Sequence, residues 1–215
     1  IFTVFKETMK HLPSDKATCT GSIIRQQLFE GNRERGLALC NFTSDKKVLL
    51  VMGGSLGSVV INDALRSNLP TLLENYQIIH LCGKGNKDTS YDKLDGYCQF
   101  EYVTSELPDL LYATDYVVSR AGSNSIFEFL TLHKPMLLIP LSAAKSRGDQ
   151  ILNANLFKKQ GFAQVLDEEK LTKESFLQAI NHLSAMADEM IDHMAEVEHP
   201  KTPKEMVGLI TQYEK

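Results

Sequence analysis

Between residues 46 and 183 short apolar runs alternate with longer stretches of helical spacing, and few folds accommodate that alternation. KKVLLVM (46–52) is a continuous apolar run, suited to a strand covered on both faces. GGSLGS follows it, then an amphipathic VVINDALRSNLPTLLENY. Next come QIIHLCG (77–83), CQFEYV (98–103), a helical ELPDLLYAT and DYVVSR (115–120). A helix over 125–132, PMLLIPL (135–141), a helix over 147–160, FAQVL (162–166) and a helix over 171–183 complete the series. Pro135 opening a strand and Gly161 closing a helix are the expected punctuation. The pattern predicts an α/β fold, a parallel sheet of about six strands flanked by helices.

The ends read differently. The first 45 residues hold a strand-like IFTVF, a short helix, CTGSIIR and a polar, Gly-containing FEGNRERGLALCNFTSDK. They are expected to be the tail of a preceding domain plus a connector. The chain starts inside a strand-like run and without Met, as a piece cut from something longer does. HPKTPKEMVGLITQYEK predicts a separate helix behind two prolines.

Composition narrows the function. A net charge of -4 offers no basic field for nucleic acid or anionic lipid. Cys19, Cys40, Cys82 and Cys98 share no CxxC spacing, so reduced thiols are expected rather than a disulfide framework or zinc cluster. VLLVM and MLLIPL fall far short of the roughly 20 residues that cross a bilayer. His11, His80, His133, His182, His193 and His199 form no metal-binding spacing. No Asp-x-Asp pair occurs either, which weighs against a metal-clamped glycosyltransferase and leaves amides and helix dipoles to hold any diphosphate.

In an open parallel sheet ligands bind beyond the carboxyl ends of the strands, so three loops carry the chemistry search. Gly53-Gly54-Ser55-Leu56-Gly57-Ser58 follows the first strand and opens a helix. It is neither a P-loop nor GxGxxG; it is a phosphate-binding loop or a tight turn with a serine cap. SRAGSNSIFE (119–128) is the second. Ser125-x-x-Glu128 fits a capping box. Equally, Ser123, Asn124 and Ser125 fit a diphosphate cradle, with Glu128 accepting from paired ribose hydroxyls. The third, SAAKSRGDQILNANLF (142–157), offers Ser146 and Asp149 as an N-cap pair and Gln150 in the first turn, facing the same crevice. Lys145 and Arg147 read as solvated charges rather than ligands.

GGSLGS, SRAGSNSIFE and RGDQILNA in this order, with GSIIR upstream, closely resemble the donor-binding half of the MurG family, glycosyltransferase family 28. The likeness runs over nearly the whole chain. It implies the C-terminal half of a GT-B enzyme, two Rossmann-like domains facing across a cleft. The implied activity is transfer of N-acetylglucosamine from UDP-GlcNAc to lipid I, making lipid II for peptidoglycan at the cytoplasmic face of the bacterial membrane. No cofactor is implied. Residues 1–25 become the end of an acceptor domain, 26–46 a connector, 47–197 the donor domain, and 198–215 a helix crossing back to the first domain.

By the same resemblance Ser55 contacts the donor diphosphate region, beside the loop glycines Gly53, Gly54 and Gly57. Val103 sits where the family's backbone recognises uracil. Ser123, Asn124, Ser125 and Ile126 wrap the diphosphate, Glu128 holds the ribose hydroxyls, and Gln150 contacts the sugar. Arg25 matches the family's arginine near the domain junction, although Ile23 stands where the family often has proline. The family's GGTGGH-type loop, with its proposed catalytic base, occurs nowhere in these 215 residues, so no catalytic residue is assigned. Lipid I and membrane contact are expected through that first domain. Three alternatives stay open: another lipid glycosyltransferase, a UDP-GlcNAc 2-epimerase with carboxylates and histidines in its cleft, or a non-catalytic donor-binding subunit.

Overall fold

A computed structural model describes residues 1–54, 56–144, 146, 148–197 and 201–212. Two short parallel strands, β1 (Phe2–Thr3) and β2 (Thr18–Cys19), make a small sheet at the front. The main sheet holds β3 (Lys47–Met52), β4 (Tyr76–Leu81), β5 (Tyr97–Phe100), β6 (Tyr116–Ser119), β7 (Met136–Leu138) and β8 (Ala163–Val165). All its pairings are parallel, as the alternation predicts.

The strand order is β5-β4-β3-β6-β7-β8. The winding therefore runs outward from β3 to one side and then resumes from β6 on the other. Leu49–Met52 of β3 lie directly beside Tyr116–Ser119 of β6. Loops leaving these two strands diverge to opposite faces, which opens a crevice between them at the carboxyl edge. Val48, Leu49, Leu50 and Val51 are each 0% exposed, the signature of a central strand covered on both faces. The core extends through α4 (Ser123–Thr131) into α5 (Asp149–Lys159), where Phe127 and Phe157 meet edge-to-face at 5.3 Å.

The stretch expected to be a connector packs against this sheet and its helices. It contains α1 (Arg33–Leu39), capped by Asn32, whose side chain accepts from the Arg35 amide. A further helix, α3 (Leu107–Ala113), carries Asp109, which accepts from the Asn32 amide at 2.7 Å and from Arg35 Nε at 2.9 Å. Gly36 lets the two helices touch, since a Cβ there would collide with the Asp109 carbonyl. Two turns of helix are too short to show a period in a polar sequence, which is why the pattern did not announce α1.

α2 (Val59–Leu72), α6 (Lys173–Ala185) and α8 (Pro203–Gln212) follow the expected pattern, whereas α7 (Ala187–Ala195) has no counterpart in it. Ahead of α8, the Lys201 carbonyl accepts from the Ile24 amide at 2.9 Å, so the two ends of the chain meet. Among the described residues no helix is long and apolar enough to cross a membrane.

Candidate functional site

Three helices start at the carboxyl edge of the sheet: α2 after β3, α4 after β6, and α5 beyond β7. Each leaves its first-turn amides without intrahelical partners, the general condition of a helix start. Of the other α-helices, α3 and α7 also lack a side-chain cap, whereas α1, α6 and α8 cover such amides with side chains. Asn32 caps α1, Thr172 and Ser175 form a capping box on α6, and Thr202 with Glu205 does the same for α8. At the crevice none is covered: the N-caps Ser58, Gly122 and Gly148 make no side-chain cap bond. All three starts line one cavity of about 850 Å³. Free amides and aligned peptide dipoles there form a positive lining suited to an anion.

The glycines divide into those that pack and those that leave room. Gly57 has φ +76°, and a Cβ on it would strike the Cys82 carbonyl at the end of β4. It is needed for the loop to lie against its neighbour. Gly54, at φ +88°, and Gly122 meet nothing within 4 Å of an added Cβ. Both line the cavity, and their missing side chains keep it open.

A second cavity of about 560 Å³ adjoins the first and shares Gly54, Asn124 and Ser125 with it. Its walls mix apolar side chains, including Met52, Leu81, Val103 and Leu107, with polar ones such as Thr104 and Asn124. The Val103 main chain makes no hydrogen bond among the described residues, so its N–H and C=O are available. Glu128 lies on the wall between α4 and the incoming N-terminal segment. Its Oε1 accepts from Arg25 Nε at 2.8 Å and Nη2 at 2.6 Å. Burial pushes this carboxyl above its ordinary value, and the Arg25 guanidinium opposes the rise.

The structure thus brings Arg25, Gly53, Gly54, Gly57, Val103, Ser123, Asn124, Ser125, Glu128 and Gln150 around two joined cavities. Ser55, Lys145 and Arg147 lie outside the described residues. Ile126 lines neither cavity: its side chain is in the core and its amide bonds the Gly122 carbonyl. The capping-box reading of Ser125 and Glu128 is overturned, because α4 begins at Ser123 and Glu128 turns to Arg25. Ser146 and Asp149 do not pair either: Gly148, at φ 83°, is the cap, and Ser146 Oγ accepts from its amide.

Sequence reasoning passed over Arg120. Buried at the end of β6, it donates to the Ile139 carbonyl at 3.0 Å and to Ser58 Oγ at 2.7 Å, and pairs with Glu168 at 2.5 Å. It joins the loop ends of β3, β6 and β7 beneath the larger cavity, and it explains why Ser58 does not cap α2. An arginine directly after a buried strand was the available signal. Asn153 was missed as well; from α5 it donates to the Ala121 carbonyl at 3.0 Å. Gln150 Oε1 accepts from the Leu141 amide at 3.1 Å, which fixes its side chain at the cavity edge.

The family model for the glycosyltransferase family 28 C-terminal domain matches residues 48–206. A UDP-N-acetylglucosamine–N-acetylmuramyl-(pentapeptide) pyrophosphoryl-undecaprenol N-acetylglucosamine transferase of Bacillus cereus is 57% identical over 184 residues, covering 86% of this chain and 52% of that protein. A protein of the same name from Lachnospira eligens is 51% identical over 206 residues, 96% of this chain and 58% of its own length. The chain spans about half the length of the curated relatives it matches. The crystal structure of Acinetobacter baumannii MurG superposes with a TM-score of 0.66 at 20% identity, over 91% of this chain and 57% of that one, a likeness of fold. On the match over 48–206 and these identities, the chain belongs to glycosyltransferase family 28, of which it carries the C-terminal domain.

Proposed function

We propose that the chain is the donor-binding half of an inverting N-acetylglucosaminyltransferase, which moves GlcNAc from UDP-GlcNAc onto lipid I to make lipid II. The observation that carries this reading is the convergence of three uncapped helix starts on one cavity. The relatives' name supplies the donor and the acceptor. In the proposed complex the diphosphate lies in the larger cavity against the amides of Ser123, Asn124 and Ser125 and beside Gly53 and Gly54. The uracil enters the smaller cavity, where the Val103 main chain reads its edge. Glu128 accepts from the ribose hydroxyls, and Gln150 faces the sugar. No histidine lines either cavity among the described residues, which speaks against the epimerase alternative.

The chemistry asked of this half is leaving-group stabilisation. As the glycosidic bond breaks, negative charge grows on the diphosphate, and fixed amide dipoles stabilise it without reorganising. Deprotonation of the acceptor hydroxyl requires a base, which this reading places on a first domain across the cleft. Residues 1–25 are then the end of that domain, 26–46 the connector, 47–197 the donor domain and 198–215 the helix that crosses back. Leu56, 85% exposed, lines the larger cavity and fits a surface facing that domain. Lipid I and the cytoplasmic membrane surface would be met through it.

Calorimetric titration of the 215-residue chain with UDP-GlcNAc, UDP-glucose and ADP-glucose tests the proposal. UDP-GlcNAc is expected to bind at least tenfold tighter than the adenine donor, with no lipid II formed by the chain alone. Equal affinity for uridine and adenine donors defeats it.

A further inference from the structure

Arg25 reaches the donor site from a segment outside the main sheet. Its main chain is fixed on both sides: the Ile24 amide donates to the Lys201 carbonyl at 2.9 Å, and the Arg25 carbonyl accepts from the Leu28 amide at 3.1 Å. The flanking Ile24 and Leu28 side chains are buried. From this fixed base the guanidinium sets Nε and Nη2 on one oxygen of Glu128, at 2.8 and 2.6 Å. Two charge-assisted hydrogen bonds to one oxygen hold the carboxylate in a single place. Arg25 lines the smaller cavity; among the described residues the larger one, where the diphosphate is proposed to lie, is lined without it. A guanidinium that left Glu128 for a phosphate would strand a carboxylate only 12% exposed beside an incoming anion.

Resting on the proposed donor site, we infer that Arg25 serves donor binding through Glu128, as a positioning residue that keeps the carboxylate ionised and in place for the ribose diol, and not as a ligand of the diphosphate. An ionised carboxylate only accepts, so it can take both hydroxyl protons of the diol; once protonated, it turns one oxygen into a donor and loses the match.

Burial pushes the Glu128 carboxyl up, and the Arg25 guanidinium opposes the rise. Among the described residues lining that cavity Arg25 is the one cation. The other titratable groups there are Tyr102 and Glu101, whose Oε1 accepts from the Gly85 amide at 2.8 Å. Neither can replace the counter-charge. With the guanidinium removed, burial acts unopposed and the carboxyl rises further. Donor affinity is then lost at a higher pH as the solution is acidified.

The test is run on the 215-residue chain as wild type, Arg25→Met, Arg25→Lys and Glu128→Gln. Carboxylate NMR of the ligand-free, glutamate-labelled chain follows the titration of Glu128, and calorimetry follows UDP-GlcNAc affinity against pH. In Arg25→Met the Glu128 midpoint should rise by about 1 pH unit or more, and the pH at which affinity is lost should rise with it. Arg25→Lys, which keeps the charge, should return both midpoints most of the way. In a Glu128→Gln background, Arg25→Met should weaken binding by less than about twofold more, since a residue acting through another has nothing left to act on. Should Arg25→Met fail to fold, Arg25→Gln takes its place. An unmoved Glu128 midpoint, a loss of affinity equal at every pH, or additive losses in the double variant overturns the inference. The Glu128 titration needs no ligand, so it decides the link to Arg25 even where the wild type binds no UDP-GlcNAc, the result that defeats the donor reading.

Discussion

Arg25 directs both Nε and Nη2 at a single oxygen of Glu128, at 2.8 and 2.6 Å, across 103 residues of chain. The side chain of Glu128 is 12% exposed and that of Arg25 45%, so the carboxylate is the buried partner and the guanidinium reaches in from the rim. One carboxylate oxygen is engaged, and the residue lines the smaller cavity. A charge so placed is costly to the fold and useful to a ligand, which makes the pair separable by experiment.

Because burial raises the Glu128 pKa, the folded state holds its proton more tightly than the unfolded chain does. Its contribution to stability is thus lost as pH rises through the carboxylate range. Glu128→Gln is expected to leave the melting temperature at pH 7.5 unchanged or higher. It should weaken UDP-GlcNAc binding by about tenfold or more, the value of a charge-assisted hydrogen bond. Thermal melts and calorimetry on the same preparation check both halves. A fall in melting temperature with unchanged affinity assigns Glu128 to structure.

Gly122 offers a sharper contrast. Its φ of -68° suits any residue, and an added Cβ meets no atom of the protein within 4 Å. Gly122→Ala should change unfolding free energy by no more than about 1 kcal/mol, the scale of a changed N-cap. If the diphosphate lies against this backbone, the same methyl group should reduce donor affinity at least tenfold. Unaltered affinity places the diphosphate elsewhere.

Arg120 and Glu168 form a buried ion pair, with side chains 8% and 6% exposed. Arg120→Ala takes a buried cation from Glu168 and removes the anchor of Ser58 and the Ile139 carbonyl, and should cost about 3–5 kcal/mol in urea unfolding. Replacing both, as Arg120→Met with Glu168→Leu, should recover most of that loss. Donor binding should stay weak in the double variant, because Ser58 Oγ and the Ile139 carbonyl remain unanchored. Full recovery of binding would show that the arginine does not order the loops.

His80 predicts an acid limit. It is fully buried between Tyr97 and Asn62, and Asn62 Nδ2 donates to the Cys82 carbonyl. Asn62 Oδ1 must then accept from His80 Nε2, and Nδ1 accepts from Tyr97, so the ring is neutral. Burial, reinforced by the Arg66 charge, holds its pKa down at about 3. The unfolded chain takes up this proton below the ordinary histidine value of about 6.5 while the folded state does not. Stability should therefore fall from that pH toward about 3, by up to about 1.4 kcal/mol per pH unit. Urea midpoints at pH 7 and pH 5 check it, and identical midpoints would contradict it.

Much of this was legible in advance, for local reasons. The run 46–52 announced a central strand because burial on both faces removes polar alternation. The loops at 53–58 and 119–128 announced a binding edge because glycines and small polar residues sat where buried strands ended. The helix boundaries were less legible. Ser125 and Glu128 have the spacing of a capping box, yet α4 starts two residues earlier, at Ser123. Within residues 26–46 the helix α1, which Gly36 and Arg35 lock onto α3, had no local signal.

Sequence alone determined the parallel sheet, its six strands and the loops that bear the polar residues, since these follow from periodicity and turn chemistry within short windows. Only tertiary structure decided which helix starts stay uncapped, that Arg25 reaches Glu128, and that Arg120 holds three strand ends. Those relations join residues tens of positions apart. They depend on the strand order, which sets β3 beside β6 and places β5 at the edge, and no local pattern encodes that order.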